Sequence, residues 1–353
     1  MVNNCNHKDD QSIAANYVFV AIAVFIAAFS IDLLLARLSG IPYSFVTAFV
    51  PKTFYYAVPT IGLALVAERH GYSRLAALLS GSILSGLVGF TILPMSYELH
   101  TFGRPLIDHT LQSADIAVGF HWETYVHWII AHRYVQDALL FCYNSMPFQL
   151  MIATWAVALL RPTQDSYQFV AVAAVAGLIG TLVALAFPTI GMLECVDHKA
   201  FNPAHWSAAT PRDIVMFMRH NRPDMIDFSK PVGMFNFPSF HTLSACVVIY
   251  AHRKTFLRIP AILTNVPIMA AAIPFGAHFL VDILAGIAVF YTAVGVVHAV
   301  DFIAMRTKTA FINFKYFSSS TTGNCETVEL LAKLSADRTA SVDNRLSVSV
   351  DRV

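Results

Sequence analysis

The chain has 353 residues, 56% of them hydrophobic and only 13% charged, with a formal net charge of +1. Soluble domains carry about 25% charged residues, so this composition excludes an ordinary soluble domain and points to a polytopic membrane protein. No basic stretch interleaved with aromatics argues for a nucleic-acid partner, and none is expected.

A membrane span needs about 20 mainly apolar residues. Residues 1–15 are polar and lack the apolar core of a signal peptide, so they read as an N-terminal tail. Apolar runs that meet the span criterion lie at 17–36, 43–67 (interrupted at Pro51-Lys52), 75–95, 138–160, 169–192, 232–251, 259–277 and 279–300. The expectation is therefore an all-α bundle of about eight transmembrane helices in one domain over 16–305. Two long connections, 96–137 and 193–231, break the pattern. Residues 306–353 are polar and rich in Ser and Thr, and read as a disordered tail. The five cysteines, Cys5, Cys142, Cys195, Cys246 and Cys325, have no metal-binding or disulfide spacing and read as small apolar residues.

Orientation follows from the short loops. With the N-terminus in the cytoplasm, eight spans put Arg69, Arg74, Arg161, Arg253, Lys254, Arg258, Arg306, Lys308 and Lys315 on the cytoplasmic side, as the positive-inside rule asks. Arg37 and Lys52 run against it. Both termini are then cytoplasmic and both long connections lie outside. Ten of the 14 histidines fall in those connections or at the helix ends facing them: His100, His109, His121, His127, His132, His198, His205, His220, His241 and His278. His198, His205 and His220 match no common metal-ligand spacing. The same region holds Arg104, Arg133, Lys199, Arg212, Arg219, Arg222 and Lys230. Basic residues on a translocated side suggest a local anion, and Arg offers a fixed fork of donors to phosphate oxygens. A solvated or headgroup-facing surface is the plainer alternative. The stretch 108–128, with Trp122, Tyr125 and Trp128, has aromatics at helical intervals and reads as lying in the membrane interface.

The chemistry concentrates in two motifs. Pro238-Ser239-Phe240-His241 opens one apolar helix, and Gly276-Ala277-His278-Phe279-Leu280-Val281-Asp282 opens the next. His278 and Asp282 are four residues apart, one helical turn on one face. A carboxylate there holds one imidazole nitrogen as N–H and leaves the other lone pair free to attack. Intramembrane ionisable groups are costly and are functional by default. Ser239 at a helix start adds a hydroxyl to free backbone N–H groups, an anion site, although Ser in that position is also an ordinary N-cap. Arg222-Pro223 precedes it by a short loop.

Pro-Ser-x-His followed about 35 residues later by His-x-x-x-Asp resembles the type 2 phosphatidic-acid phosphatase superfamily of lipid phosphatases, lipid phosphotransferases and vanadium haloperoxidases. The likeness covers roughly 212–286. It implies a six-helix catalytic core with His278 as the phosphohistidine nucleophile, oriented by Asp282. His241 is then the acid for the leaving group, and Ser239 and Arg222 bind phosphate. No metal or other cofactor is implied. Three positions depart from the family pattern: Val215 stands where it has Lys, Ala272 where it has Arg, and Phe240 where it has Gly. Arg212, Arg219 and Lys230 are the candidates to compensate. The departures resemble the inositol phosphorylceramide synthase and sphingomyelin-synthase-like branch, and residues 276–286 are similar to the former's third motif. Pro105-Leu106-Ile107-Asp108 to Gly119-Phe120-His121-Trp122 is similar to an outer segment of bacterial members of that branch.

These implications favour transfer of a phospho-headgroup between membrane lipids. The alternatives are a phosphatase acting on a lipid or isoprenoid phosphate, and a non-catalytic membrane protein with a degenerate site. Phosphodiesters need fewer cations than phosphomonoester dianions, which ranks transfer above hydrolysis. The intact His241, His278 and Asp282 argue against degeneracy. Eight spans and the missing basic ligands argue against haloperoxidase chemistry.

Overall fold

The computed structural model describes residues 2–40, 50–196, 209–221 and 233–320. Every regular element among them is helical. Apolar surroundings cannot bond an exposed N–H or C=O, so the backbone must satisfy its own groups. The α-helices are α1 Val2–Ser39, α2 Val50–Arg69, α3 Ser73–Thr101, α4 Asp108–Ala117, α5 Trp122–Ala131, α6 Arg133–Leu160, α7 Thr163–Ala186, α8 Ala209–His220, α9 Phe240–His252, α10 Arg258–Phe275 and α11 Leu280–Ser320. Among the described residues, five stretches are long and apolar enough to cross a membrane: Ala14–Ser39, Ser73–Thr101, Thr163–Ala186, Arg258–Phe275 and Leu280–Ala304. The chain is thus a polytopic helical membrane protein.

The chain divides into two compact units, 1–297 and 298–353. In the first, α1, α3 and α7 pack on one another, and α6, α9 and α10 form a second group joined to them through α3–α6 and α7–α9 contacts. Polar side chains bind the second group internally. Gln149 Oε1 accepts from Asn265 Nδ2 at 2.5 Å and from Thr264 Oγ1 at 3.0 Å, linking α6 to α10. At the end of α9, Arg253 donates to Gln168 Oε1 of α7 at 2.6 Å while lying 3.6 Å over the Tyr250 ring.

Several boundaries differ from the sequence expectations, four of them as follows. Helix α1 begins at Val2, so residues 2–15 are helical and no break separates a tail from the span. Helix α7 ends at Ala186 instead of continuing to 192, because Pro188 biases Phe187 away from helical backbone. Helix α9 starts at Phe240, not 232, since residues 233–239 carry Pro238 and run non-helical. Helix α11 continues to Ser320, past the expected tail boundary at 305, through a segment without Gly or Pro. Residues 321–353 lie outside the described ones. The connection 96–137 is mostly helix, and Gly119 (φ 80°) makes the corner between α4 and α5.

Those two short helices satisfy carbonyls that α10 leaves open. Pro274 has no N–H, so the Ala270 carbonyl one turn back lacks its helical partner. The Tyr125 hydroxyl donates to it at 3.2 Å. Ile273, at the helix end, has an orphan carbonyl of the same kind, and Trp122 Nε1 donates to it at 3.1 Å. Buried apolar groups from α4, α5, α6, α10 and α11, among them Leu111, Trp122, Val126, Tyr143, Phe275 and Ile283, close the core around this end together with Phe279 of the turn before α11.

Candidate active site

His278 sits on the turn between α10 and α11. Gly276 ends α10, its N–H donating to Ala272 O at 2.9 Å. A Cβ on Gly276 would lie 2.7 Å from His278 Cδ2 and 2.8 Å from Ala272 O, so a side chain there has no room. Ala277 adopts φ 52°, a left-handed backbone that non-glycine residues seldom take. Its carbonyl is held from outside by Met192 N at 2.7 Å. The turn is therefore imposed by tertiary contacts.

The expected pair forms, but not on one helical face: His278 and Phe279 precede α11, and only Asp282 stands on the helix, because the left-handed Ala277 and the turn after Gly276 delay its start. Asp282 Oδ2 lies 3.1 Å from His278 Nδ1 and accepts from Phe279 N at 2.9 Å, so the carboxylate caps the first turn of its own helix while it orients the imidazole. Both residues are buried, His278 to 2% exposure and Asp282 to 0%. A carboxylate only accepts, which assigns the proton to Nδ1 and the lone pair to Nε2. Burial pulls the His278 pKa down to about 4, with the Asn236 backbone acting in the other direction, so the ring is neutral at pH 7.

His241, in the first turn of α9, stacks on Tyr143 with centroids 4.1 Å apart and planes 18° apart. Its ring centroid is 6.1 Å from that of His278. Ser239 is the N-cap of α9: its Oγ accepts from Thr242 N at 3.3 Å, and its N–H donates to Asp282 O at 3.1 Å. Ser239 is wholly buried, so the hydroxyl serves the helix start, the plainer of the two readings its position allowed. Gly286 makes the crossing of α9 and α11 possible, since a Cβ there would lie 2.8 Å from Ser239 O.

The basic candidates divide. Arg222 and Lys230 lie outside the described residues. Arg219, on α8, donates to the Arg104 carbonyl at 2.8 Å, and Arg212 pairs with Glu194 at 3.2 Å. Neither lines the space beside the histidines. The three departures from the family pattern are accommodated by packing. Val215 is buried with Tyr97, Ile190, Met218 and Met234. Ala272 is buried, and its carbonyl also accepts from His278 N at 3.4 Å. Phe240 stacks on Phe235 at 4.7 Å and packs against Gly180.

His241, His278 and Gly276 open onto a cavity of about 910 Å³ that runs between α3, α6, α7 and α9. Its walls are mostly apolar, including Ile92, Leu150, Trp155, Val170 and Val247. Wall residues on α3 extend from Ser82 to Ser96, about 20 Å of helix. Sequence reasoning missed Tyr143 and Asn236. Tyr143 is one aromatic among many in a span. Asn236 lies in a stretch read as helical, yet its Nδ2 donates to the Ile190 carbonyl.

Neither the curated proteins nor the solved structures contain a match to this chain. A family model described as the PAP2 superfamily matches residues 109–296, more than half of the chain and the whole of the histidine centre. The chain therefore belongs to the PAP2 superfamily, and that membership supports an enzyme of the phosphatase or phosphotransferase type.

Proposed function

We propose that the protein is an integral-membrane lipid phosphotransferase of the inositolphosphotransferase-like type, moving a phospho-headgroup from a phospholipid donor to a lipid hydroxyl acceptor. The observation that carries this is the buried His278–Asp282 pair, 3.1 Å apart, at the head of an apolar cavity of about 910 Å³. A phosphoryl group at the histidines with an aliphatic tail along α3 suits a membrane lipid. Val215 and Ala272, both buried in apolar packing where the family pattern has cations, support a phosphodiester over a phosphomonoester dianion.

In the proposed reaction Nε2 of His278 attacks phosphorus, the P–N bond forming as the bond to the leaving oxygen breaks. His241 gives its proton to that oxygen. The acceptor hydroxyl then loses its proton to His241 and attacks phosphorus, and the P–N bond breaks. Asp282 holds the imidazole tautomer throughout. Of the expected phosphate ligands, Arg222 and Lys230 are the ones proposed, because Arg219 is turned to the Arg104 carbonyl and the Ser239 hydroxyl caps α9. The expected eight spans, cytoplasmic termini and an outward-facing centre belong to the same proposal.

The test uses purified full-length protein in detergent micelles with a labelled phospholipid, with and without a lipid hydroxyl acceptor, beside His278→Ala. A labelled phosphodiester that needs the acceptor and is lost in the variant supports transfer. Release of inorganic phosphate without acceptor, also lost in the variant, replaces the proposal with a phosphatase. Turnover that survives His278→Ala sinks the mechanism.

A further inference from the structure

The carboxylates of helix α4 do something the reaction scheme does not use. Asp108 and Asp115 are seven residues apart, two turns on one face, and both are buried to 1% exposure. Burying a carboxylate is costly unless hydrogen bonds compensate, and each of these is spent on backbone N–H groups of the site. Asp115 Oδ2 accepts from Leu280 N at 2.8 Å and its Oδ1 from Val281 N at 3.0 Å. Those are orphan donors of the first turn of α11. Asp282, in that same turn, takes Phe279 N at 2.9 Å. Three successive N–H groups are thus shared between a capping carboxylate from the same helix and one from α4, 165 residues earlier than Leu280.

Asp108 works on the other side of the turn. Its Oδ1 accepts from Ile190 N at 3.0 Å and Gly191 N at 2.7 Å. The strap 189–192 that it holds touches both histidine motifs. Thr189 Oγ1 accepts from Phe237 N at 3.1 Å, and Ile190 O accepts from Asn236, both just before Pro238. Met192 N donates to Ala277 O at 2.7 Å, beside His278. Gly191, at φ 104°, turns the strap. Trp122 and Tyr125 of the neighbouring α5 brace the carbonyls of α10 on the near side of His278.

We propose that Asp108 and Asp115 are positioning residues, a two-point clasp from α4 that sets the His278–Asp282 pair and its register against the His241 loop. The proposal rests on the reading of that pair as the reacting centre. It makes the outer helix pair part of the catalytic apparatus, although no group on α4 need touch a substrate.

The two carboxylates engage their donors differently, and this yields a test that loss of folding cannot mimic. Asp108 uses one oxygen for both donors, so Asn can reproduce its bonds. Asp115 uses both oxygens, and an Asn amide would point N–H at N–H. In the lipid transfer assay with full-length protein, Asp115→Ala and Asp115→Asn are expected to lower kcat by about 10²-fold each, the usual cost of an ångström of misplacement, with KM within about threefold. Asp108→Asn is expected to recover at least tenfold of the kcat lost in Asp108→Ala. Equal losses for Asn at both positions, or losses confined to KM, overturn the clasp. A second measurement does not depend on turnover. In Asp115→Ala, hydrogen exchange of the peptide covering 278–283 and carbethoxylation of His278 should both accelerate at least fivefold, with exchange in α1 and α7 unchanged. Unchanged rates at 278–283 overturn the clasp even if the wild type proves to be a phosphatase or inactive, whereas failure of the transfer assay alone counts only against the proposed function.

Discussion

Gly276→Ala is the sharpest probe of the site. The glycine has φ −95° and ψ −2°, which an alanine can adopt, so the backbone itself gives no reason for Gly. The obstacle is space. The new Cβ would stand 2.7 Å from His278 Cδ2, about 0.7 Å inside ordinary contact. It would also stand 2.8 Å from the Ala272 carbonyl, which cannot retreat because it already accepts from the Gly276 and His278 N–H groups. The imidazole must therefore move by several tenths of an ångström from the position in which Asp282 holds it. A displacement approaching 1 Å costs on the order of 10²-fold in rate, about 2.7 kcal/mol of transition-state stabilisation. The assay is kcat and KM for the labelled phospholipid in nanodiscs, on monodisperse protein whose Tm is within a few degrees of wild type. Two other glycines calibrate it. Gly286→Ala puts a Cβ 2.8 Å from Ser239 O and 3.1 Å from Thr242 Cβ, so it should separate α9 from α11 and cost stability, about 1–3 kcal/mol. Gly295→Ala meets nothing within 4 Å and should be neutral or stabilising by up to about 1 kcal/mol. If Gly276→Ala keeps more than half the wild-type kcat, the imidazole is not where the chemistry requires it, and the reasoning fails.

Three further outcomes are expected. Trp122→Phe removes the donor to the buried Ile273 carbonyl, and should lower stability by about 1–3 kcal/mol in thermal melts; an unchanged Tm counts against the bracing of α10. Tyr143→Leu removes the ring stacked on His241 and should reduce kcat by roughly 2–10-fold, while Tyr143→Phe keeps the stack and most of the rate. His278 titrates near 4 when folded and near its ordinary 6.5 when unfolded. Between those values the unfolded chain binds more protons, so its contribution to stability is lost as pH falls through this window. His278→Gln should accordingly lose less stability than wild type between pH 6.5 and 4, read from Tm against pH; parallel curves refute the buried neutral ring.

Much was legible before any coordinates. Low charge and long apolar runs required helices, because no other open structure satisfies its backbone in lipid. The spacing of His278 and Asp282 was right about the pair but not about its geometry: His278 stands on the turn before α11, and Asp282, in the first helical turn, reaches back to it. Pro-Ser-Phe-His required a helix start, and Ser239 caps it. Helix ends were less legible where a proline's effect falls on its neighbours, as at Phe187, or where a segment without Gly or Pro runs on, as at 306–320. The sequence by itself therefore determined which near neighbours pair: His278 with Asp282, and Ser239 with the N–H groups that follow it. Only the tertiary structure decided which elements meet across the chain: Tyr143 on His241, Met192 on Ala277, Asp108 on the 189–192 strap and Asp115 on the start of α11. The physical reason is range. Helical periodicity and capping act over three or four residues and can be read from spacing. An orphan N–H at a helix start donates to whichever carboxylate the packing delivers, and nothing near Leu280 in the chain says that it comes from Asp115.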